Sequence, residues 1–340
     1  MLTLHKTSES TEIARLYESE RDKHGTPLYW HPKKEEKYKL GVEDIDNYLT
    51  SEEFRDYYRL SLADASAIAE ALKRGRDVPD KSHKGLQNKF FKVKKDLNKK
   101  LFTEMDLGDS SQYLRVDFPL DNSTWTGLHV TIGSSGSGKT FHTMDMMLRN
   151  LNGPKRNRRQ ICYASTELYK DKTLKKLMGD KYAGYVTGID LSDDAFEESE
   201  HNSIDEWYHR SILPKLRSVP EGGHIVLDDP KDSPAANFLL KWQNTAYRTL
   251  RHKNIGLTSI QHSMRGGRWS SQAYSSVKYV HTFPRGGGKG KLTDYLSKDI
   301  GIPLKKAREY VDRFAENGRV LSVRMHNPSC LIGPKGIILL

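Results

Sequence analysis

Apolar and polar residues follow two different rhythms along this chain, and the rhythm changes near residue 115. Before that point apolar positions recur every three or four residues, which is the helical period. In "SLADASAIAEALKRG", Leu62, Ala65, Ile68, Ala69 and Leu72 share one face; Ser61 and Asp64 have capping-box spacing, and Gly75 supplies a stop. "TSEEFRDYYRL" starts in a similar way, with Thr50 and Glu53. "GLQNKFFKVKKDLNKKLF" sets Leu86, Phe90, Val93, Leu97 and Leu101 at helical spacing. Lys89, Lys92, Lys95 and Lys99 fall on its other faces, where they either follow a phosphate backbone or are simply solvated. The pattern predicts a helical, basic N-terminal region over residues 1–115.

From residue 116 short apolar, β-branched runs alternate with helical stretches. The strand candidates are "LHVTIG" (128–133), "RQICYAS" (159–165), "GHIVLDD" (223–229), "IGLTSIQ" (255–261) and "KYVHTF" (278–283). Each is short and nearly all apolar, as buried parallel strands are. A helix should follow Lys139 with Met144, Met147 and Leu148 inward, and another should run from Ala235 to Leu250. The expected fold class is α/β: a core (116–285) with a mostly parallel central sheet flanked by helices, preceded by the helical N-terminal region. Residues 286–340 add helical stretches, with Pro303 in a first turn and Asn317-Gly318 at a stop, and then a final strand. The basic segments 153–160 and 285–291 read as loops.

Composition narrows the partners. At 340 residues and 36% apolar content the chain can bury a real core, and a net charge of +11 gives it a surplus that suits a polyanion, nucleic acid being the commonest. A merely solvated basic surface is the plainer alternative. Two cysteines, Cys162 and Cys330, are too few and too far apart for a disulfide framework or a Cys-rich zinc site, and fit a reducing compartment. No apolar run has the length of a membrane span, and "MLTLHKTSESTE" lacks a signal-peptide core, so an intracellular protein is expected.

The chemistry concentrates in "IGSSGSGKT". Gly133, Gly138, Lys139 and Thr140 satisfy G-x-x-x-x-G-K-[ST], with Ser134, Ser135, Gly136 and Ser137 between them. Such a loop turns successive backbone N–H groups inward around phosphates, and the following helix adds its positive end. Lys139 would reach the β- and γ-phosphates of ATP, and Thr140 would offer its hydroxyl to Mg²⁺. "GGHIVLDDP" supplies the acids: Asp228 at a strand end to hold Mg²⁺ through water, and Asp229 as the base for the attacking water. Asp-Asp-Pro is also ordinary turn chemistry, and Glu167 is a second acid at a strand end. In "RTLRHKNIGLTSIQHS" a strand ends in Gln261, whose amide could sense the γ-phosphate. Arg251 ahead of it is either a finger for a neighbouring subunit or a cation on a helix end. His252 and His262 read as structural, hydrogen-bonding histidines.

"TIGSSGSGKT", "IVLDDP" and "RHKNIGLTSIQHS", in this order, resemble the FtsK–HerA superfamily of ring-forming P-loop ATPases, over about residues 120–285. More narrowly, they are similar to the poxvirus-like genome-packaging ATPases of large double-stranded DNA viruses. The resemblance implies ATP-driven movement of double-stranded DNA into a capsid by a homo-oligomeric ring of five or six subunits. It implies a capsid-vertex or membrane-associated viral partner, and a place in the infected cytoplasm, a virus factory or the virion. It assigns phosphate and metal roles to Lys139 and Thr140, the acidic motif to Asp228 and Asp229, the sensor to Gln261 and the finger to Arg251. Many members of the superfamily end the acidic strand in Asp-Glu, whereas this chain has Asp-Asp. A motor must also grip DNA, and Arg265 and Arg268 in "SMRGGRWSSQ" and Lys289 and Lys291 in "RGGGKGK" are the candidates, with ordinary basic loops as the alternative. Competing readings are a conjugation or plasmid-transfer ATPase, a helicase, and a nucleotide kinase with the arginines as a lid. The charge and the Gln-ended strand argue against the kinase.

Overall fold

The computed structural model describes residues 2–3, 6, 8–22, 25–32, 50–73, 84–101, 104–106, 115–119, 125–152, 158–262, 276–326 and 328–340. The chain forms two compact units, Met1–Pro119 with Lys335–Leu340, and Leu120–Pro334.

In the first unit the helical expectation needs correction at its start. β1 (Leu2–Thr3), β2 (Thr11–Tyr17), β3 (Thr26–Trp30) and β5 (Arg115–Asp117) form a four-stranded antiparallel sheet in the order β1-β3-β2-β5, with β4 (Glu104–Asp106) between β3 and β5 in sequence. The strand rhythm of β2 is hidden by a register shift between Glu12 and Ala14. That irregularity breaks the two-residue alternation and puts Ile13 and Ala14, side by side in sequence, both out of solvent. It also lets Glu12 and Arg15 pair at 2.6 Å, a three-residue spacing that imitates a helix.

The helices appear farther along: α1 (Glu52–Tyr58), α2 (Leu62–Lys73) and α3 (Lys84–Leu101). Ala65, Ile68 and Ala69 of α2 pack with Phe54, Leu60, Leu86, Phe90 and Val93 in one buried cluster. Ser61 caps α2 as expected, its hydroxyl accepting from Asp64 N at 3.1 Å. The cap of α1 is Ser51, not Thr50. Leu62, expected on the inner face, is 56% exposed, because it stands at the first turn before the helix meets its neighbours. The Gly75 stop lies outside the described residues.

The second unit carries the parallel strands that the apolar runs predict: β6 (Leu128–Ile132), β7 (Ile161–Ser165), β9 (His224–Asp228), β10 (Gly256–Gln261) and β11 (Tyr279–Thr282). Between β7 and β9 the chain adds β8 (Val186–Asp190), a half-exposed strand with little apolar signal of its own. The order is β11-β6-β10-β9-β7-β8, all parallel. β12 (Leu321–Arg324) and β13 (Cys330–Gly333) extend it antiparallel beyond β11. β14 (Gly336–Leu339) pairs antiparallel with β4 in the first unit. β6, β7 and β9 are buried at every position, the signature of strands covered on both faces.

Helices make the crossovers. α4 (Lys139–Leu151) follows β6 with Met144, Met146 and Met147 buried. Short helices α5 (Asp193–Glu197), α6 (Ile204–Trp207) and α7 (Leu213–Arg217) lie between β8 and β9, and α8 (Ala236–Thr249) joins β9 to β10. α9 (Lys289–Lys298) and α10 (Leu304–Asn317) complete the unit. The expected loop at 285–291 is instead a helical turn over Pro284–Gly288 running into α9. Arg285 is the reason: its Nε donates to Ala315 O at 2.6 Å and its Nη2 to Glu316 O, tying the glycines to the end of α10. Of the segment 153–160, residues 153–157 lie outside the described residues. Both cysteines are free and buried, and burial pushes each thiol up to about 12. Among the described residues no helix is long and apolar enough to cross a membrane.

Candidate functional site

The parallel register decides what meets at the carboxyl edge of the sheet. Gln261 pairs with Ile132, Ile260 with Asp228, and Ser165 with Asp228. The strands therefore end together, and whatever follows them converges, where open α/β sheets take their ligands. β10 lies between the strand that feeds the glycine loop and the strand that ends in the acids.

The loop is shaped by its glycines at two points. Gly138 sits at φ 102°, left-handed backbone that turns straight into α4. At Gly133 a Cβ would lie 2.4 Å from Ser137 Oγ, so any side chain there would have to displace the Ser137 hydroxyl. Gly133 N donates to Gln261 O at 3.2 Å, and Ser137 N to Ser134 O at 3.2 Å. Ser137 Oγ is buried within this loop without a hydrogen-bond partner among the described residues. Ser135, Gly136, Gly138, Lys139 and Thr140 line a cavity of about 580 Å³, open to solvent, whose far wall includes Glu167, Asp228, Asp229 and His262.

Across the cavity the charges interlock. Lys139, 6% exposed, donates from Nζ to Ser134 O and faces His262 Nδ1, each at 3.2 Å. An ammonium only donates, so Nδ1 accepts and the ring hydrogen is on Nε2, which donates to Asp229 Oδ2 at 2.9 Å. Thr140 Oγ1 donates to Asp228 Oδ2 at 3.3 Å, and Tyr163 OH to the same oxygen at 2.9 Å. Burial, then the neighbouring charge of Asp229, raises the Asp228 carboxyl to about 7 against the pull of Tyr163, Thr140 and Lys139. Burial raises Asp229 too, opposed by His262 and Lys139. Asp229 also holds φ 48°, a left-handed conformation that Asp and Asn adopt more readily than other side chains. Asp232 joins it: one ligand atom each of Asp229, Asp232 and His262 lies within 4.8 Å of the others.

These residues fit Mg²⁺. A buried carboxyl held near neutrality is one that a cation would restore to its charged form, and a hydroxyl oxygen already stands beside it. Thr140 and Asp228 would hold the ion. Lys139 and the N-terminus of α4 face the place for phosphates, with the unpartnered Ser137 hydroxyl in the same loop.

The remaining sequence candidates separate. Gln261 reaches the correct edge through its backbone, but its side-chain amide donates to Ser259 Oγ at 3.0 Å. Residues two apart on a strand share a face, so Gln261 turns with Ser259 toward α8, where Gln243 donates to the same hydroxyl at 2.9 Å. His262, one residue on, meets Lys139 instead. Arg251 is exposed in a turn before β10, at the opposite edge of the sheet. The strand alone spans about 17 Å, so Arg251 does not touch the loop of its own chain. Lys289 is exposed and paired with Asp312 at 2.8 Å, and Lys291 is exposed on α9. Arg265 and Arg268 lie outside the described residues.

Sequence reasoning missed two groups of the site. Tyr163 hides inside an apolar strand, where a phenol looks like core. His262 carries no spacing that separates it from a structural histidine.

No protein-family model matches the chain, and no curated protein matches it in sequence. Among solved structures it is similar to the genome packaging NTPase B204 of Sulfolobus turreted icosahedral virus 2, in complex with sulfate, at 16% identity over 61% of this chain and 96% of that one, with a TM-score of 0.38. It is similar to TcpA, the conjugation coupling protein of pCW3, at 14% identity over 68% and 66%, with a TM-score of 0.39. It is similar to FlaH, a flagellar accessory protein of Methanocaldococcus jannaschii, at 14% identity over 47% and 71%, with a TM-score of 0.32. The fold is that of a P-loop NTPase: strand order, glycine loop and acidic strand end establish it in this chain's own geometry.

Proposed function

We propose that the protein is an ATPase that moves double-stranded DNA, packaging a viral genome into a capsid as a ring of identical subunits. One observation carries the ATPase reading: Lys139, Thr140, Asp228 and Asp229 line a single cavity, with Thr140 and Asp228 3.3 Å apart. The net charge of +11 and the resemblance of the three motifs support DNA as the partner.

In this reading the loop N–H groups and Lys139 bind the triphosphate. Thr140 and Asp228 would hold Mg²⁺, which would supply positive charge to offset that of the triphosphate. Water attacks the γ-phosphorus, the bond to the leaving oxygen of ADP breaks, and Asp229 takes the proton of the water. Tyr163 keeps the Asp228 carboxylate turned toward Thr140. Gln261 reports the γ-phosphate by leaving Ser259. Arg251, remote from its own loop, serves a neighbouring subunit. Lys289, Lys291, Arg265 and Arg268 are the proposed DNA contacts.

ATP turnover by the full chain, with and without duplex DNA at low salt, tests this. Duplex should raise the rate several-fold. Equal rates would refute the motor; stimulation by single strands alone would point to a transfer ATPase or helicase, and phosphate appearing on an added nucleoside monophosphate to a kinase.

A further inference from the structure

His262 touches both chemical partners of the proposed reaction. Its Nδ1 accepts from Lys139 at 3.2 Å, and its Nε2 donates to Asp229 at 2.9 Å. It reaches them because it follows the last residue of β10, the strand between the loop strand β6 and the acid strand β9. Asp229 needs such a tether. Its backbone is left-handed at φ 48°, its peptide N donates to Ile260 O at a long 3.3 Å, and among the described residues the side chain that hydrogen-bonds its carboxylate is His262. The imidazole itself is 47% exposed, so no packing role explains it.

We propose that His262 is a positioning residue: one imidazole fixes the separation and orientation of the phosphate-binding Lys139 and the water-activating Asp229. It transfers no proton in the reaction. It holds the Asp229 carboxylate where the water must stand, so removing it lowers the rate of the chemical step more than it lowers nucleotide affinity. This deepens the ATPase reading and rests on it.

Three full-length proteins test the role: wild type, His262→Ala and His262→Gln. Each is measured for ATP turnover and, separately, for binding of a fluorescent ATP analogue, which also reports whether the site has folded. The alanine variant should lose about 10- to 100-fold in kcat, with analogue affinity within about threefold of wild type. Gln keeps a donor for Asp229 and an acceptor for Lys139, and should recover kcat to within about fivefold of wild type. An alanine variant that turns over at the wild-type rate overturns the role. So does a loss explained wholly by analogue affinity, and so does a glutamine variant no better than alanine. A wild type that binds the analogue but hydrolyses nothing overturns the ATPase reading itself, and this role with it.

Discussion

Two sets of polar side chains occupy the second unit, one inside the sheet and one at its carboxyl edge. Inside, His129, His224 and His281 are almost fully buried, and both ring nitrogens of His224 and His281 are hydrogen-bonded. His224 bonds Trp125 O at 2.7 Å and Thr258 Oγ1 at 2.8 Å; His281 bonds Ser322 Oγ at 2.8 Å and His129 Nδ1 at 3.0 Å. The His129 and His281 rings stack with centroids 5.4 Å apart. At the edge the same kind of side chain, His262, sits half in solvent between a lysine and a carboxylate. Burial holds His224 and His281 below the usual imidazole range and so neutral, and burial leaves the edge carboxylates at higher pKa than they would have in water. One set holds strands together; the other keeps charge out of water for a ligand to claim.

Changes that strike only the edge should leave the interior untouched, and the most severe is at Lys139. Lys139→Ala should reduce ATP turnover by at least about 1000-fold while the thermal midpoint stays within a few degrees of wild type, since no interior bond uses the ammonium. A cooperative loss of the melt would mean that the two sets are coupled. Asp229→Asn should cost about 100- to 1000-fold in kcat with analogue affinity within a few-fold, the range for a lost general base.

The third test uses pH to set the two regions against each other. His224 is depressed to about 4 by burial, so its stabilising contribution is intact above about 6.5 and is lost as pH falls toward 4. By pH 5 that loss is about 2 kcal/mol. Asp228, raised to about 7, has the opposite sign: its burial is penalised above that pH and relieved below it. Asp228→Asn removes the second slope. It should raise stability at pH 8 by about 4 kcal/mol and make the variant lose more stability than wild type as pH falls, as read by melts between pH 8 and pH 5. Identical slopes in the two proteins would contradict the assignment. Smallest is Tyr163→Phe, which removes one bond to Asp228 and should raise the Mg²⁺ concentration for half-maximal turnover about tenfold.

The sheet strands were legible because full burial writes itself as short apolar runs, as in Ile225-Val226-Leu227. The glycine loop was legible because no other residue permits Gly138 at φ 102° without strain. Strands β2 and β8 were not. The first hides its alternation in an irregular register, and the second, at the end of the sheet order, buries little. Tyr163 and His262 became visible only once β7, β9 and β10 lay side by side, since a residue's neighbours across a parallel sheet stand far away in sequence, as Ile260 and Ser165 do from Asp228. Lys289 and Lys291 looked like loop charges because three consecutive glycines usually break helices; the grip of Arg285 on α10 overrides that preference.

The left-handed backbone at Asp229 has a last consequence. An acid one methylene longer is the substitution that charge alone would call mild. Here the main chain selects against it: a glutamate has no short side chain to suit that conformation, and its carboxylate would overshoot the imidazole beside it. In the proposed reaction asparagine would satisfy the backbone but could not take the proton, whereas glutamate could take it but would burden the fold. The short acid at this strand end answers both demands at once.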